Sequence, residues 1–392
     1  GLPWLPVMTE GSDAAPYRAY LDANETVLDF DAPTLGLALA PEDVDARYVI
    51  LGEMHGYAAP QAVDAALVRL FQTQGSPRWY LAEMTPREAM AANTYIAGGG
   101  EERVRAVFDR FAAQNAQWAN NEFFGKLTTL RELNASLSPE RQVRFIGVDA
   151  PRAGEAALAL ASSRSKADLG DPASAQSINR LLDVAAENRG GSRYDTILSH
   201  METLAGLPGF DAARFVGLWG IFHAHEASVN GGTPLAALLQ EPDAPYAGDV
   251  VTIHTICFGP CYNMMPAAAL PGPVQGQNGE GYTWVPMDIS NPYFQRPKGV
   301  SDVVDALGEQ KAALYRIDGP NSPYKDGDRL TAYSGYLVQA QPWNVDGAAA
   351  DAMDYLIAFK GSAPLTPWSG AAFDISGGVG ADHPELVGGA GD

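Results

Sequence analysis

The sequence predicts an α/β fold, a mostly parallel central sheet flanked by helices, with a helical insertion. Three observations carry that expectation: β-rich apolar runs alternate with amphipathic helical stretches from Tyr48 onward, one long segment is helical throughout, and strands resume after it. In the first of these, "YVIL" is a buried strand. "PQAVDAALVRLFQTQG" is a helix opened by Pro60 and ended by Gly75, and "WYLAEM" is a second strand, which makes a βαβ unit. The helical patterns "EERVRAVFDRFAAQNAQWA" and "NEFFGKLTTLRELNASL" follow, before the strand "VRFIGVD" ends at Asp149.

Residues 153–208 carry apolar side chains at three- and four-residue spacing with no strand between them, as expected of a helical insertion or lid. Strands then return in "FVGLWGIFHAH" and "DVVTIHTICF", and the last is "DYLIAF", after the turn-rich stretch 317–328. The expected organisation is one α/β catalytic core over 1–152 and 209–368, the insertion at 153–208, and a flexible Gly/Ala-rich tail over 369–392.

A chain of 392 residues suits two or three domains, or one large α/β unit with insertions. With 47 acidic and 26 basic residues its formal charge is −21, which repels nucleic acid and anionic lipid. The expected partner is a neutral or cationic small molecule or peptide. No apolar run approaches the roughly 20 residues of a membrane-spanning helix. The opening Gly-Leu-Pro-Trp lacks an initiator Met, which suggests a removed leader or a trimmed chain, so a periplasmic or secreted location is expected. The two cysteines, Cys257 and Cys261, flank a Gly-Pro turn that either brings them together as a small disulfide loop or leaves two reduced thiols.

The chemistry is concentrated at strand ends. "YVILGEMH" and "FVGLWGIFH" each deliver Gly-x-x-His, as Gly52 to His55 and Gly220 to His223. In open α/β sheets the carboxyl ends of the strands line the ligand crevice, so both imidazoles would project there. Glu83 closes the next strand, where an isolated buried carboxylate would be costly without a partner, and His55 is the expected one. A carboxylate beside an imidazole fixes its tautomer and raises its basicity, and Glu53 could act so from the other side. The alternative is a satisfied polar cluster at a strand end.

These segments resemble a known family. "LGEMHG", "YLAEM", "NEFFGKLTTLRELN", "RFIGVDA" and "MDYLIAF" followed by "PLTP" occur in the order seen in the erythromycin esterase-like family, over roughly residues 45–155 and, more loosely, 210–365. That family belongs to a wider group with haem-binding uptake proteins and Tiki-type metalloproteases. The resemblance implies an α/β fold with an active-site histidine and glutamate, matching His55 and Glu83. The short Gly-Glu-x-His spacing is closer to the haem-uptake and metalloprotease branches, and the run from Trp118 to Asp149 is closer to the esterase branch, which works without metal.

Other residues carry weaker signals. His225 follows His223 by two, so on a strand both would face one side and, with Glu226, could bind metal. His254, Cys257, Cys261, Met264 and Met265 form either a soft-ligand cluster or, in the preferred reading, a stapled loop packed by Met. Asp149 and Arg152 could orient a histidine and a substrate carbonyl, or act as a cap and a surface ion. There is no Gly-x-Ser-x-Gly elbow, phosphate loop, dinucleotide turn or Cys-x-x-Cys pair, which disfavours a serine hydrolase or an ATPase.

The expected function is therefore hydrolysis of an ester or related acyl bond by water activated at His55, supported by Glu83 or Glu53, with His223 or Arg152 stabilising the oxyanion and no cofactor. Two alternatives stand beside it. One is a peptidase or hydrolase holding a divalent metal, zinc or manganese, on Glu53, His55, Glu83 and His223; the other is a haem or metal carrier without catalysis.

Overall fold

The computed structural model describes residues 13–151, 174–186, 191–245, 249–269, 281–290, 296–334 and 344–375. Its strands are β1 (Glu25–Val27), β2 (Tyr48–Glu53), β3 (Trp79–Ala82), β4 (Phe145–Gly147), β5 (Phe215–Gly220), β6 (Val250–Cys257), β7 (Pro260–Pro266), β8 (Tyr282–Asp288), β9 (Arg296–Pro297), β10 (Ala312–Arg316), β11 (Tyr333–Ser334) and β12 (Tyr355–Phe359). Eight of them form one sheet in the order β1-β10-β12-β6-β2-β5-β3-β4. From β12 to β4 all neighbours are parallel, and β10 and β1 add antiparallel pairings at one edge. The predicted class, a mostly parallel sheet covered by helices, is what the chain adopts.

β2 and β5 lie inside the sheet with every residue buried, which is why they read as continuous apolar runs and not as alternating ones. One face is covered by the helices Ala59–Thr73, Glu102–Ala113 and Asn121–Ser136, which bury Val63, Leu67, Val107 and Leu127 with Val49 and Leu51. The other face is covered by the helices Ala175–Ala186 and Arg193–Ala205. They bury Ile178, Leu182, Ile197 and Met201 with Ile50, Leu81 and Trp219. The described parts of the segment expected as an insertion or lid thus form a layer on the sheet.

Several elements have no counterpart in the sequence reading. The helix Pro86–Ile96 opens on a capping box between Thr85 and Glu88, yet it buries alanines and Asn93, so its apolar period is faint. Asn93 replaces a missing neighbour strand: its side chain accepts from the Phe145 N–H at 2.7 Å and donates to the Phe145 carbonyl at 2.8 Å. Asn179 accepts from the Gly147 N–H at 2.8 Å. Two side-chain amides thus close the β4 edge of the sheet, whose free backbone groups would otherwise invite another strand. β10, the helix Val300–Leu307 and the β7–β8 hairpin are likewise additions. At the far end of the chain, Phe373 of the expected flexible tail is buried in the core, and residues 376–392 lie outside the described ones.

One strand is shorter than its sequence pattern. β5 ends at Gly220 and a 3-10 turn, Ile221–Ala224, carries the chain back over the sheet. A methyl at Gly52 would lie 2.7 Å from the Ala224 Cβ, so glycine there is what lets the turn lie flat on β2.

Candidate functional site

The carboxyl ends of β2, β5, β3 and β4 are neighbours, with Glu53 paired to Gly220 and Ala82 to Gly147. Sequence order reverses here: the chain leaves β2 for β3 and β4, then returns to place β5 between them. Such reversals open a crevice at the carboxyl edge. A cavity of about 400 Å³ lies there, lined by Glu53, His55, Glu83, Asp149, Arg193 and His223 among others.

His55 sits two residues beyond Glu53, and its Nδ1 lies 3.1 Å from Glu53 Oε1. The other carboxylate oxygen, Oε2, accepts from Gln61 Nε2 at 3.4 Å. Because Glu53 can only accept when ionised, the hydrogen of neutral His55 belongs on Nδ1 and the lone pair on Nε2. Nε2 faces Gly220, where a methyl would lie 2.9 Å from it and 3.5 Å from His223 Cδ2. Burial opposes charge on this ring, but the Glu53 hydrogen bond and charge, with Glu83 behind them, raise its pKa from 6.5 to about 9. The turn that carries His55 is itself clamped. Gly56 takes φ +102°, a backbone that suits glycine, its carbonyl accepts from Met264 N–H at 2.9 Å, and Asn263 donates to the His55 carbonyl at 2.7 Å.

Across the cavity, Arg193 is the hub. Its Nε donates to Asp149 Oδ1 and its Nη2 to Asp149 Oδ2, each at 2.7 Å, while Nη2 also reaches Glu83 Oε1 at 2.7 Å. Nη1 lies 3.0 Å from His223 Nε2, and Tyr194 O–H is 2.5 Å from His223 Nδ1. Arginine only donates, so its contact with His223 uses the lone pair of Nε2, and the same nitrogen lies 3.3 Å from Glu83 Oε1. Burial would raise the Glu83 pKa, but the His223 hydrogen bond and charge, with His55 and Arg193, hold it well below the usual carboxylate range. Its second oxygen accepts from the Gly220 N–H at 2.8 Å.

Beneath these groups lies a buried polar layer. Lys126 Nζ is 2.6 Å from Asp64 Oδ2 and 3.4 Å from the Tyr80 hydroxyl, which donates to Asp64 at 2.5 Å and accepts from Leu218 N–H at 3.2 Å. Both Lys126 and Tyr80 line the cavity, with Trp118 and Phe123 as aromatic wall.

The structure brings His55, Glu53, Glu83, His223 and Asp149 around one cavity. Of the two carboxylates expected to support His55, Glu53 is the one that holds it, while Glu83 is held by Arg193 and Gly220. Asp149 orients Arg193 and not a histidine. Arg152 lies outside the described residues, and Arg193, which the sequence reading missed, is the cation in place. Its only local signal was the Ser192–Asp195 capping box that starts its helix beside the site. His225 does not share a face with His223, because the 3-10 turn replaces the strand; its ring packs edge-on to His254 at 4.5 Å. Burial and the neighbouring His254 push the His225 pKa down to about 2, and burial takes His254 down to about 4 against the Ala224 carbonyl. Glu226 bonds to Thr252 and Gln240. Cys257 and Cys261 are bridged. Met264 packs in the core beside them, in a β-hairpin and not in a loop.

The metal reading requires Glu53, His55, Glu83 and His223 to converge. Among the described residues no group of three or more His, Cys, Asp or Glu is placed to hold an ion. Glu83 and His223 both face the Arg193 guanidinium, which a cation would have to displace. The arrangement does not fit that group.

The fold and cavity define an α/β protein with a polar site at the carboxyl edge of its sheet, and solved structures share that fold. A succinoglycan biosynthesis protein matches with a TM-score of 0.60 at 13% identity, over 91% of this chain and 99% of its own. A Bacillus cereus protein matches with 0.57 at 14%, over the same shares, and a mutant of the erythromycin esterase EreC in its open conformation with 0.54 at 14%, over 84% and 94%. No family model and no curated protein sequence matches the chain. Among the described residues no helix is long and apolar enough to cross a membrane.

Proposed function

We propose that the chain is a hydrolase of an ester or related acyl bond. The observation that carries this reading is the His55–Glu53 pair in the cavity wall, whose second nitrogen faces the gap left by Gly220. The sharing of a fold with an erythromycin esterase is consistent with it.

His55 Nε2 takes a proton from water as the water oxygen attacks the acyl carbon, and Glu53 holds the resulting imidazolium. The carbonyl oxygen becomes an oxyanion opposite, where Arg193 Nη1 carries a second hydrogen beyond its contact to His223. On collapse the imidazolium returns the proton to the leaving alkoxide, giving acid and alcohol. Asp149 and Glu83 do no chemistry in this scheme; they hold the guanidinium in place.

Hydrolysis of a panel of short-chain esters tests the reading. A general base contributes about 10²–10⁴ in rate, so His55→Ala is expected to lose at least a hundredfold, and prolonged chelation to lose nothing. Unchanged hydrolysis in His55→Ala would remove the assignment. One tightly held metal equivalent, with activity lost on its removal and restored on its return, would replace it with a metal mechanism.

A further inference from the structure

The unpaired groups of the cavity bear on what it holds. Glu53 can only accept, so Gln61 must turn its NH₂ toward it, and the amide carbonyl is directed elsewhere. That oxygen is buried without a hydrogen-bond partner, on a side chain that lines the cavity. Lys126 supplies the opposite need: its ammonium has three hydrogens, of which Asp64 and Tyr80 take two. The cavity therefore offers a neutral acceptor and a cationic donor, next to the Trp118 and Phe123 rings.

Ligand chemistry follows from that pairing. A carboxylate would satisfy Lys126 but meet the Gln61 carbonyl and the carboxylates of Glu53, Glu83 and Asp149. An ammonium would satisfy Gln61 but meet Lys126 and Arg193. An alkyl group would leave the Gln61 carbonyl unpaired and the third Lys126 hydrogen unused in a desolvated place. A hydroxyl donates to one and accepts from the other, and an array of hydroxyls on a ring with apolar C–H faces also suits the aromatic wall.

We propose that this part of the cavity binds the hydroxyls of a sugar or similar polyol, so that the preferred substrate is an O-acyl ester of a polyhydroxylated alcohol. The substrate class rests on the hydrolase reading above; the hydroxyl subsite does not. A site built to bond a hydroxyl rejects the analogue that lacks it.

Two measurements test this on the whole chain. In the first, kcat/KM for 6-O-acetylglucose is compared with that for ethyl acetate, each divided by its rate with hydroxide. The expected preference for the sugar ester is about a hundredfold, and Gln61→Leu is expected to cut that ratio about tenfold. In the second, saturation-transfer NMR with methyl α-glucoside is expected to show binding that weakens in Gln61→Leu. Equal normalised rates on the two esters would overturn the substrate class while leaving the hydrolase standing. If neither ester is cleaved, the hydrolase reading falls and the NMR decides the subsite: glucoside binding weakened in Gln61→Leu supports it, and no binding overturns it.

Discussion

Replacing Glu53 with glutamine removes the charge that holds a proton on His55 while keeping the shape of the pair. In the wild-type chain the ring has a pKa of about 9, so at pH 7 only about one molecule in a hundred carries it neutral. If neutral His55 is the base, kcat/KM should rise about tenfold per pH unit between pH 6 and 8 and level near 9. In Glu53→Gln, burial opposes the charged ring with little to offset it, and the pKa should return toward its ordinary 6.5 or lower. The rise should then end below pH 7, on a plateau about tenfold or more beneath the wild-type one, because the base is weaker. The same shift has a stability consequence. A group whose folded pKa is raised contributes stabilisation that is fully present below its unfolded value near 6.5 and is lost as pH climbs through about 9. Tm of the wild type should therefore fall over that window more steeply than Tm of Glu53→Gln. With 32% of the His55 side chain exposed, solvent screening keeps the difference modest. The assays are a pH–rate profile and an imidazole NMR titration resolved from the other five of the 6 histidines. A His55 that titrates near 6.5 in the wild type, or at the same pH in both chains, would refute the argument.

Three further outcomes are expected. Gly220→Ala puts a methyl 2.9 Å from His55 Nε2 and should lower hydrolysis about a hundredfold with the fold retained at a cost of about 1–3 kcal/mol, read by kinetics and denaturant melts. Arg193→Met removes one of the groups that, with His223 and His55, hold the Glu83 carboxyl down, so the depressed carboxyl should move part of the way up. The stability it contributes, present above about 4.5 and lost as pH falls below that, should then vanish at higher pH than in the wild type, as Tm between pH 3 and 7 will show. Without reductant, neither Cys257 nor Cys261 should react with iodoacetamide, and the doubly serine-substituted chain should lose about 2 kcal/mol, the loop-closure value for so short a ring.

Much of the site could be read locally. Gly-x-x-His at two strand ends and a glutamate at a third are chain-local patterns, and the general rule for open sheets sends all three to one edge. Even the His55–Glu53 contact is local, since the two are separated by one residue. What could not be read is distant in sequence. Arg193 meets Glu83 across 110 positions, and nothing in "SRYDTILSH" distinguishes a site cation from a helix-surface one. The strand expected to run through His225 failed for a related reason: "IFHAH" has a strand's composition, and only the room made by Gly52 turns it into a 3-10 segment.

By itself, then, the sequence determined the α/β class and the strands that bear the site. An apolar run such as "YVILGE" is stable only when covered on both faces, and covering both faces of parallel strands demands helices between them. Tertiary structure alone decided the partners. A buried carboxylate must find a charge or a donor, but burial does not say which, and the choice falls to whatever the packing brings within about 3 Å. For Glu83 the packing brought Arg193 and the Gly220 N–H in place of His55. It left Glu53, two residues away along the chain, to set the histidine's tautomer and basicity.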